Sequence, residues 1–257
     1  MSIKKLIISA TISYIFFMLM LLPAAHVIPI FNIPASKATF SGISGSIWSG
    51  KIDHLRLQKQ DLHSVQWDVK PLSLLTGKLS THLVSSYQNI DANALVDYSL
   101  FSKQLSLSDL NSEFSASQLQ KILQLPLGEL DGSIYIDMSR IVLADNKLSH
   151  VTGQISWKNA KIKLSNPIPL GIINIDISMP KRGVLSATLS NKQGALSIKG
   201  NIKLLANSRY TLDLRLKPRA NASSELTELL RLMAPKKNQS EHIIQRSGRL
   251  NKSGLLL

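Results

Sequence analysis

No cysteine occurs anywhere in the 257 residues, which removes disulfide frameworks, thiol nucleophiles, iron–sulfur clusters and cysteine-based zinc sites. Aromatic residues make up only 5% of the chain, so a core has to be assembled mainly from Leu, Ile, Val and Ala. Charged residues reach 18% against 44% hydrophobic, too apolar for a disordered chain and too polar for a multi-span membrane protein. The length suits one large domain or two small ones. Negative charge is the scarcer sign: 30 Lys and Arg face 16 Asp and Glu, for a net charge of +14. From Lys199 onward the chain holds 12 basic and 4 acidic residues, and the first 198 residues hold 18 and 12. This excess is scattered singly through apolar alternation. No Arg-rich tract, zinc finger or aromatic-plus-basic RNA motif is present, so no nucleic-acid partner is expected.

One long hydrophobic run stands out. Residues 6–30 contain no Asp, Glu, Lys or Arg, and roughly 20 apolar residues cross a bilayer as a helix. Ser9, Thr11 and Ser13 are tolerable there because their hydroxyls can bond back to the helix's own carbonyls. Lys4 and Lys5 precede the run, and the next basic residue is Lys37. The positive-inside rule then keeps residues 1–5 in the cytoplasm, makes 6–30 an uncleaved transmembrane helix and exports 31–257. In a Gram-negative cell that arrangement is a single-pass inner-membrane protein with a periplasmic domain. A cleaved signal peptide is the rival reading. Its apolar region would be long, and Pro23-Ala24-Ala25 is a poor cleavage site.

Beyond residue 37 the dominant pattern has period two, the mark of strands with one buried face. Val65, Trp67 and Val69 alternate with Gln66 and Asp68, and Ile173, Ile175 and Ile177 alternate with Asn174 and Asp176. Tyr210, Leu212, Leu214 and Leu216 alternate with Thr211, Asp213 and Arg215. Glycines punctuate these runs, several followed two residues later by an apolar residue, as in Gly45-Ser46-Ile47 and Gly132-Ser133-Ile134. The expected fold is mainly β: an N-terminal transmembrane helix, then a curved antiparallel sheet domain with about two short helices. The helices are expected over 115–124, before Pro126, and 223–233, before Pro235.

Chemistry is hard to find in this chain. Gly45-Ser46-Ile47-Trp48-Ser49-Gly50-Lys51-Ile52 comes close to a P-loop, but Ile52 stands where Ser or Thr must hold magnesium, and strand alternation follows. The six histidines show no metal-ligand spacing, and Asp53, Asp61 and Asp68 are isolated. No catalytic residue, metal site or cofactor is expected, and no enzyme. Trp48, Trp67 and Trp157 are expected as sheet anchors or partner contacts, with Trp48 the most exposed of the three.

The ordered series of motifs carries more. Gly45-Ser46-Ile47-Trp48-Ser49-Gly50, then Val65, Trp67, Pro71, Leu74-Leu75 and Gly77, resembles the N-terminal part of the type II secretion system protein N family. Gly153-Gln154-Ile155-Ser156-Trp157 with Pro169-Leu170-Gly171 is similar to that family's central Trp motif. Gly194, Gly200, Tyr210, Pro218-Arg219 and Gly248-Arg249-Leu250 resemble its C-terminal block. One departure is Lys236-Lys237-Asn238-Gln239-Ser240, where the family pattern has an acidic, glycine-containing turn. The resemblance implies a non-enzymatic accessory subunit of the machine that exports folded proteins across the outer membrane. It implies other secretion subunits as partners, in the inner-membrane platform or the secretin, beside the lipid of the inner membrane. Trp48, Gly50, Trp67, Gly77 and Trp157 are the positions expected to carry interaction or fold. The fold is also similar to AsmA-like proteins, whose curved sheets hold lipid, so a lipid-binding groove is the alternative reading.

Overall fold

The structure is a computed structural model that describes residues 3–31, 34, 38–57, 60–87, 90–123, 128–145, 147–163, 166–233, 236–238 and 241–249. Lys37, the stop signals Pro126 and Pro235, Gln239, Ser240 and Leu250 lie outside the described residues. The chain is mainly antiparallel β-sheet, as the alternation predicts, and the sheet is not closed into a barrel. Two compact units are distinguished, residues 1–103 and 104–257.

The first unit opens with helix α1, Ile3–Met20, long and apolar enough to cross a membrane. None of its residues is buried, and apolar side chains project on every side. It stops well short of the run's end at residue 30. Pro23 disfavours helical backbone at the residue before it, and the chain leaves the helix at Leu21–Leu22. Short helix α2, Ala24–Val27, and a 3-10 turn, Ile28–Phe31, occupy the remainder of the run. Strands β1 (Ala38–Gly45), β2 (Ser49–Leu57), β3 (Gln60–Lys70), β4 (Lys78–Tyr87) and β5 (Ile90–Ser99) then pair antiparallel in chain order.

The second unit continues with β6 (Leu105–Ser115), helix α3 (Ala116–Leu123), β7 (Glu129–Ala144), β8 (Lys147–Lys163), β9 (Pro167–Lys181), β10 (Val184–Lys192), β11 (Leu196–Leu205) and β12 (Arg209–Pro218). Helix α4 (Ser224–Met233) follows, then β13 (Lys236–Asn238) and β14 (Glu241–Arg249). Strands β6 to β12 are neighbours in chain order, β14 pairs with β12, and β13 lies outside β14.

Both predicted helices form, and their first turns show why. Ser115 accepts the Gln118 backbone N–H through Oγ at 3.2 Å, and Gln118 Oε1 accepts the Ser115 backbone N–H at 2.8 Å. This reciprocal box satisfies donors that a helix N-terminus otherwise leaves bare. Ser223 Oγ caps α4 by accepting the Leu226 N–H at 3.2 Å.

The core of the second unit sits under these helices. Leu226 and Leu230 of α4 pack with Ala160, Ile168, Leu170, Ile173, Leu196 and Leu216 from β8, β9, β11 and β12. Ala116 of α3 packs with Leu130 and Ile134 of β7. Trp157 on β8 touches both clusters and joins the two helix-covered patches.

Candidate functional site

The first unit concentrates its unusual residues where helix meets sheet. The β1–β2 turn, residues 46–48, closes with the Ser46 N–H donating to Ser49 O at 2.8 Å. Trp48 then donates its indole N–H to the Leu19 carbonyl at 2.8 Å. That carbonyl is among the last in α1, where no helical donor remains to pair it fully. The Ile47 backbone N–H donates to Leu22 O at 3.0 Å, and Pro23 forms a bridge with Ser46. Three contacts therefore fasten the end of α1 to one hairpin. Trp48 is half-buried, with its polar atom committed inside the chain.

Trp67 supports the same turn from the next strand. It is the cross-strand partner of Gly50, and its ring lies so close over that glycine that a Cβ there would strike the Trp67 ring. Its indole N–H donates to Ile47 O at 3.2 Å. Gly77 repeats the arrangement one turn further on, beneath the ring of Phe101. It also ends the 3-10 turn Pro71–Thr76 at φ 69°, a left-handed conformation that favours glycine. Trp48, Gly50, Trp67 and Gly77 thus lie at one end of one sheet. Trp157 belongs to the second unit, where its indole N–H donates to Asp131 O at 3.0 Å beside Gly132.

In the second unit the two sheet faces differ sharply. One face carries a polar row across eight strands: Asn111, Asp137, Gln154, Asp176, Thr188, Asn201, Asp213 and Gln245. Side chains bond along this row, with Gln154 Nε2 donating to Asp176 Oδ1 at 2.7 Å and Gln245 Nε2 to Asp213 Oδ2 at 2.7 Å. In the adjacent row the Tyr135 hydroxyl donates to Glu113, which with burial raises the phenol pKa. Lys158 lies 4.1 Å from the centre of the same ring.

Toward β11, β12 and β14 this polar region becomes cationic. An open cleft of about 900 Å³ is lined by Lys199, Lys203, Arg215 and Arg246, with Asp213 the only carboxylate among the described lining residues. Arg215 Nε stands 3.5 Å from Asp213. Sequence reading registered the basic excess after Lys199 but not this cluster. The available signal was the parity of Lys199, Asn201 and Lys203, which alternation places on one face.

Metal and nucleotide chemistry find little here. His54 and His63 are cross-strand partners with Nδ1 atoms 2.9 Å apart, a pairing not evident from their spacing in sequence. Among the described residues no group of three or more His, Asp or Glu side chains converges to hold a metal ion. The near-P-loop folds as the β1–β2 hairpin turn, with Lys51 at 2.8 Å from Asp53 on the same strand. The Lys51 hydrogen bond and charge hold the Asp53 carboxyl below its ordinary pKa.

Comparison with known proteins agrees with the order of the motifs. The family described as "Type II secretion system (T2SS), protein N" matches residues 37–243. The chain belongs to that family. The type II secretion system protein N of Aeromonas hydrophila is 20% identical over 253 residues, covering 96% of this chain and 99% of that protein. The protein of the same name from Vibrio cholerae serotype O1 is 23% identical over 217 residues, covering 82% and 84%. No solved structure matches the chain. The matched region takes in the Trp48 turn, strands β1 to β13, the cationic cleft residues up to Arg215 and helix α4, and ends within β14.

Proposed function

We propose that this chain is a non-enzymatic accessory subunit of the type II secretion system, anchored in the inner membrane by α1. Residues 1–5 face the cytoplasm and residues 31–257 stand in the periplasm, where they contact other subunits of the machine. The observation that carries this reading is the family match over 37–243, with relatives aligned nearly end to end. Lys4 and Lys5 in the first turn of α1, ahead of its uncharged stretch from Leu6, support the orientation. The anchor confines the β-units near their partners and so raises effective concentration without any added contact. Partner contact falls on the cationic cleft of β11, β12 and β14, where the exposed side chains of Lys199, Lys203 and Arg215 share one face and favour an acidic surface.

Affinity recovery of the tagged chain from gently solubilised inner membranes, with mass spectrometry of what accompanies it, tests this. Platform subunits or the secretin enriched above a mock control support the reading. A solitary protein, even after crosslinking, rejects it.

One observation favours a second reading, a lipid-binding protein. On the apolar face, Ile136, Ile155, Ile175, Leu189, Leu214 and Ile244 line up across the second unit and are only half-buried. Acyl chains would suit that row. Phospholipid retained in stoichiometric amount after detergent exchange, with no secretion subunit, selects this alternative.

A further inference from the structure

Large apolar side chains at full exposure are expensive in water, and in the first unit they gather at one end of the sheet. The 3-10 turn Pro71–Thr76 exposes Leu72 at 77% and Leu75 at 85%, and the turn after β5 exposes Leu100 at 51% and Phe101 at 85%. The two turns touch. The Leu100 backbone N–H donates to Gly77 O at 2.9 Å, and the Phe101 ring covers Gly77.

This is the same end from which α1 departs. The Val69 N–H donates to Trp48 O at 2.6 Å, which seats the end of β3 against the turn that clasps Leu19 and Leu22. Thus the β1–β2, β3–β4 and β5–β6 turns all lie at the helix end, and the paired strand ends Leu57 with Gln60 and Tyr87 with Ile90 lie at the opposite end. The charge beside the apolar turns is mainly basic, with Asp68 and Asp97 the nearest carboxylates on β3 and β5. Exposed Lys70, Lys78 and Lys103 flank the apolar turns, and no Asp or Glu occurs from residue 69 to residue 90. Asp61 and Asp91 sit toward the far end, paired in register with Arg56 and Ser86.

With Lys4 and Lys5 at the cytoplasmic headgroups, the helical stretch from Leu6 to Met20 is about 22 Å long, short of the roughly 30 Å of a hydrocarbon core. Its end at Leu19–Met20 therefore lies within the outer leaflet, a few residues short of the headgroups, and draws the clasped turn toward the boundary between acyl chains and headgroups. Trp48 has the amphipathic ring that this boundary favours.

We propose that the turns carrying Leu72, Leu75, Leu100 and Phe101 dip into the outer leaflet of the bilayer that α1 spans, with Lys70, Lys78 and Lys103 on its anionic headgroups. The first unit then stands on the membrane on three adjoining turns, rigidly joined to its anchor. The inference rests on the reading of α1 as a membrane anchor.

The absence of cysteine makes the test direct. The full chain, reconstituted in phosphatidylethanolamine–phosphatidylglycerol vesicles, carries an environment-sensitive fluorophore on one introduced thiol: Leu72→Cys, Leu75→Cys, Ile12→Cys in the helix, or Thr39→Cys at the far end of the sheet. The expected result is blue-shifted emission at 72 and 75, quenched by lipid bearing a shallow nitroxide. Ile12→Cys is quenched by a deep nitroxide, and Thr39→Cys by neither. If 72 and 75 behave like 39 while 12 remains quenched, the anchor stands and the turn proposal is overturned. If 72 and 75 are quenched and 12 is not, the turns bind lipid and the anchor reading falls. Leu75→Cys oxidising readily to a disulfide-linked dimer would assign the turns to a second copy and overturn the proposal.

Discussion

At the scale of single residues, aromatic rings laid over glycine carry the turns of the first unit. Trp67 over Gly50 covers backbone that a larger residue would push away, and its indole reaches Ile47 O only because the approach is so close. Gly50→Ala puts a methyl group into the Trp67 ring, and overpacking of this kind costs about 1–3 kcal/mol. The methyl also meets the Ser44 backbone carbonyl, which cannot swing aside as a side chain does. The expected outcome is a lower denaturation midpoint for the full chain in detergent, and a midpoint that Gly50→Ala left unchanged would reject the packing account. Beside this pair, Lys51 lowers the pKa of Asp53. A depressed carboxylate contributes stability above its unfolded pKa and loses it as pH falls through the folded value. Both groups are exposed, so the contribution is small and confined to acid below the ordinary carboxylate pKa. Carboxyl NMR of Lys51→Gln should show Asp53 titrating nearer its ordinary 3.8 than in the parent chain.

At the scale of elements, period-two alternation is enough to find the strands of the second unit because its sheet has two unlike faces. Ile173, Ile175 and Ile177 share one face and Asn174 and Asp176 the other, as their spacing predicts. The two helices are legible for a related reason: a capping serine and apolar residues at helical spacing are local signals. What escaped the sequence is long-range. The end of α1 at Met20 depends on Pro23 and on a hairpin 29 residues away in the Trp48–Leu19 bond, and no local pattern announces it. Nor does alternation anticipate Asn191, a polar residue opposite Ile173 on the apolar side. Its side-chain amide donates to Leu170 O at 2.8 Å and Leu196 O at 2.7 Å and accepts the Ile198 N–H at 2.7 Å. One side chain thereby pairs three backbone groups of the two strands, β9 and β11, that flank its own. Asn191→Ala leaves these groups unsatisfied where water has poor access, at about 1–3 kcal/mol for each group that stays dry. Hydrogen exchange should accelerate first at Ile198. Unchanged protection there would show that water replaces the amide without loss.

At the scale of the whole molecule, charge decides more than shape. A chain with a net charge of +14 draws acidic surfaces toward it from a distance, and that attraction weakens as salt shortens the Debye length to about 8 Å at physiological strength. A face that merely carries diffuse charge would lose partners gradually on substitution anywhere. A cleft that gathers Lys199, Lys203 and Arg215 on one face should instead be sensitive at those positions and indifferent elsewhere. Reversal at Lys199 and Lys203 tests this with little risk to folding, since both are exposed and surface substitutions usually stay within about 0.5 kcal/mol. K199E/K203E should recover markedly less of the secretion subunits from solubilised membranes. The same two-charge reversal at Lys147 and Lys181, exposed on β8 and β9, should leave recovery at the parent level. The parent's own recovery should fall as salt is raised, and the cleft variant's should respond less, because the charges that salt screens have gone. Equal losses from both pairs would mean that net charge alone attracts the partner. Undiminished recovery from K199E/K203E would move the contact away from the cleft, leaving the strand edges as the surface to search.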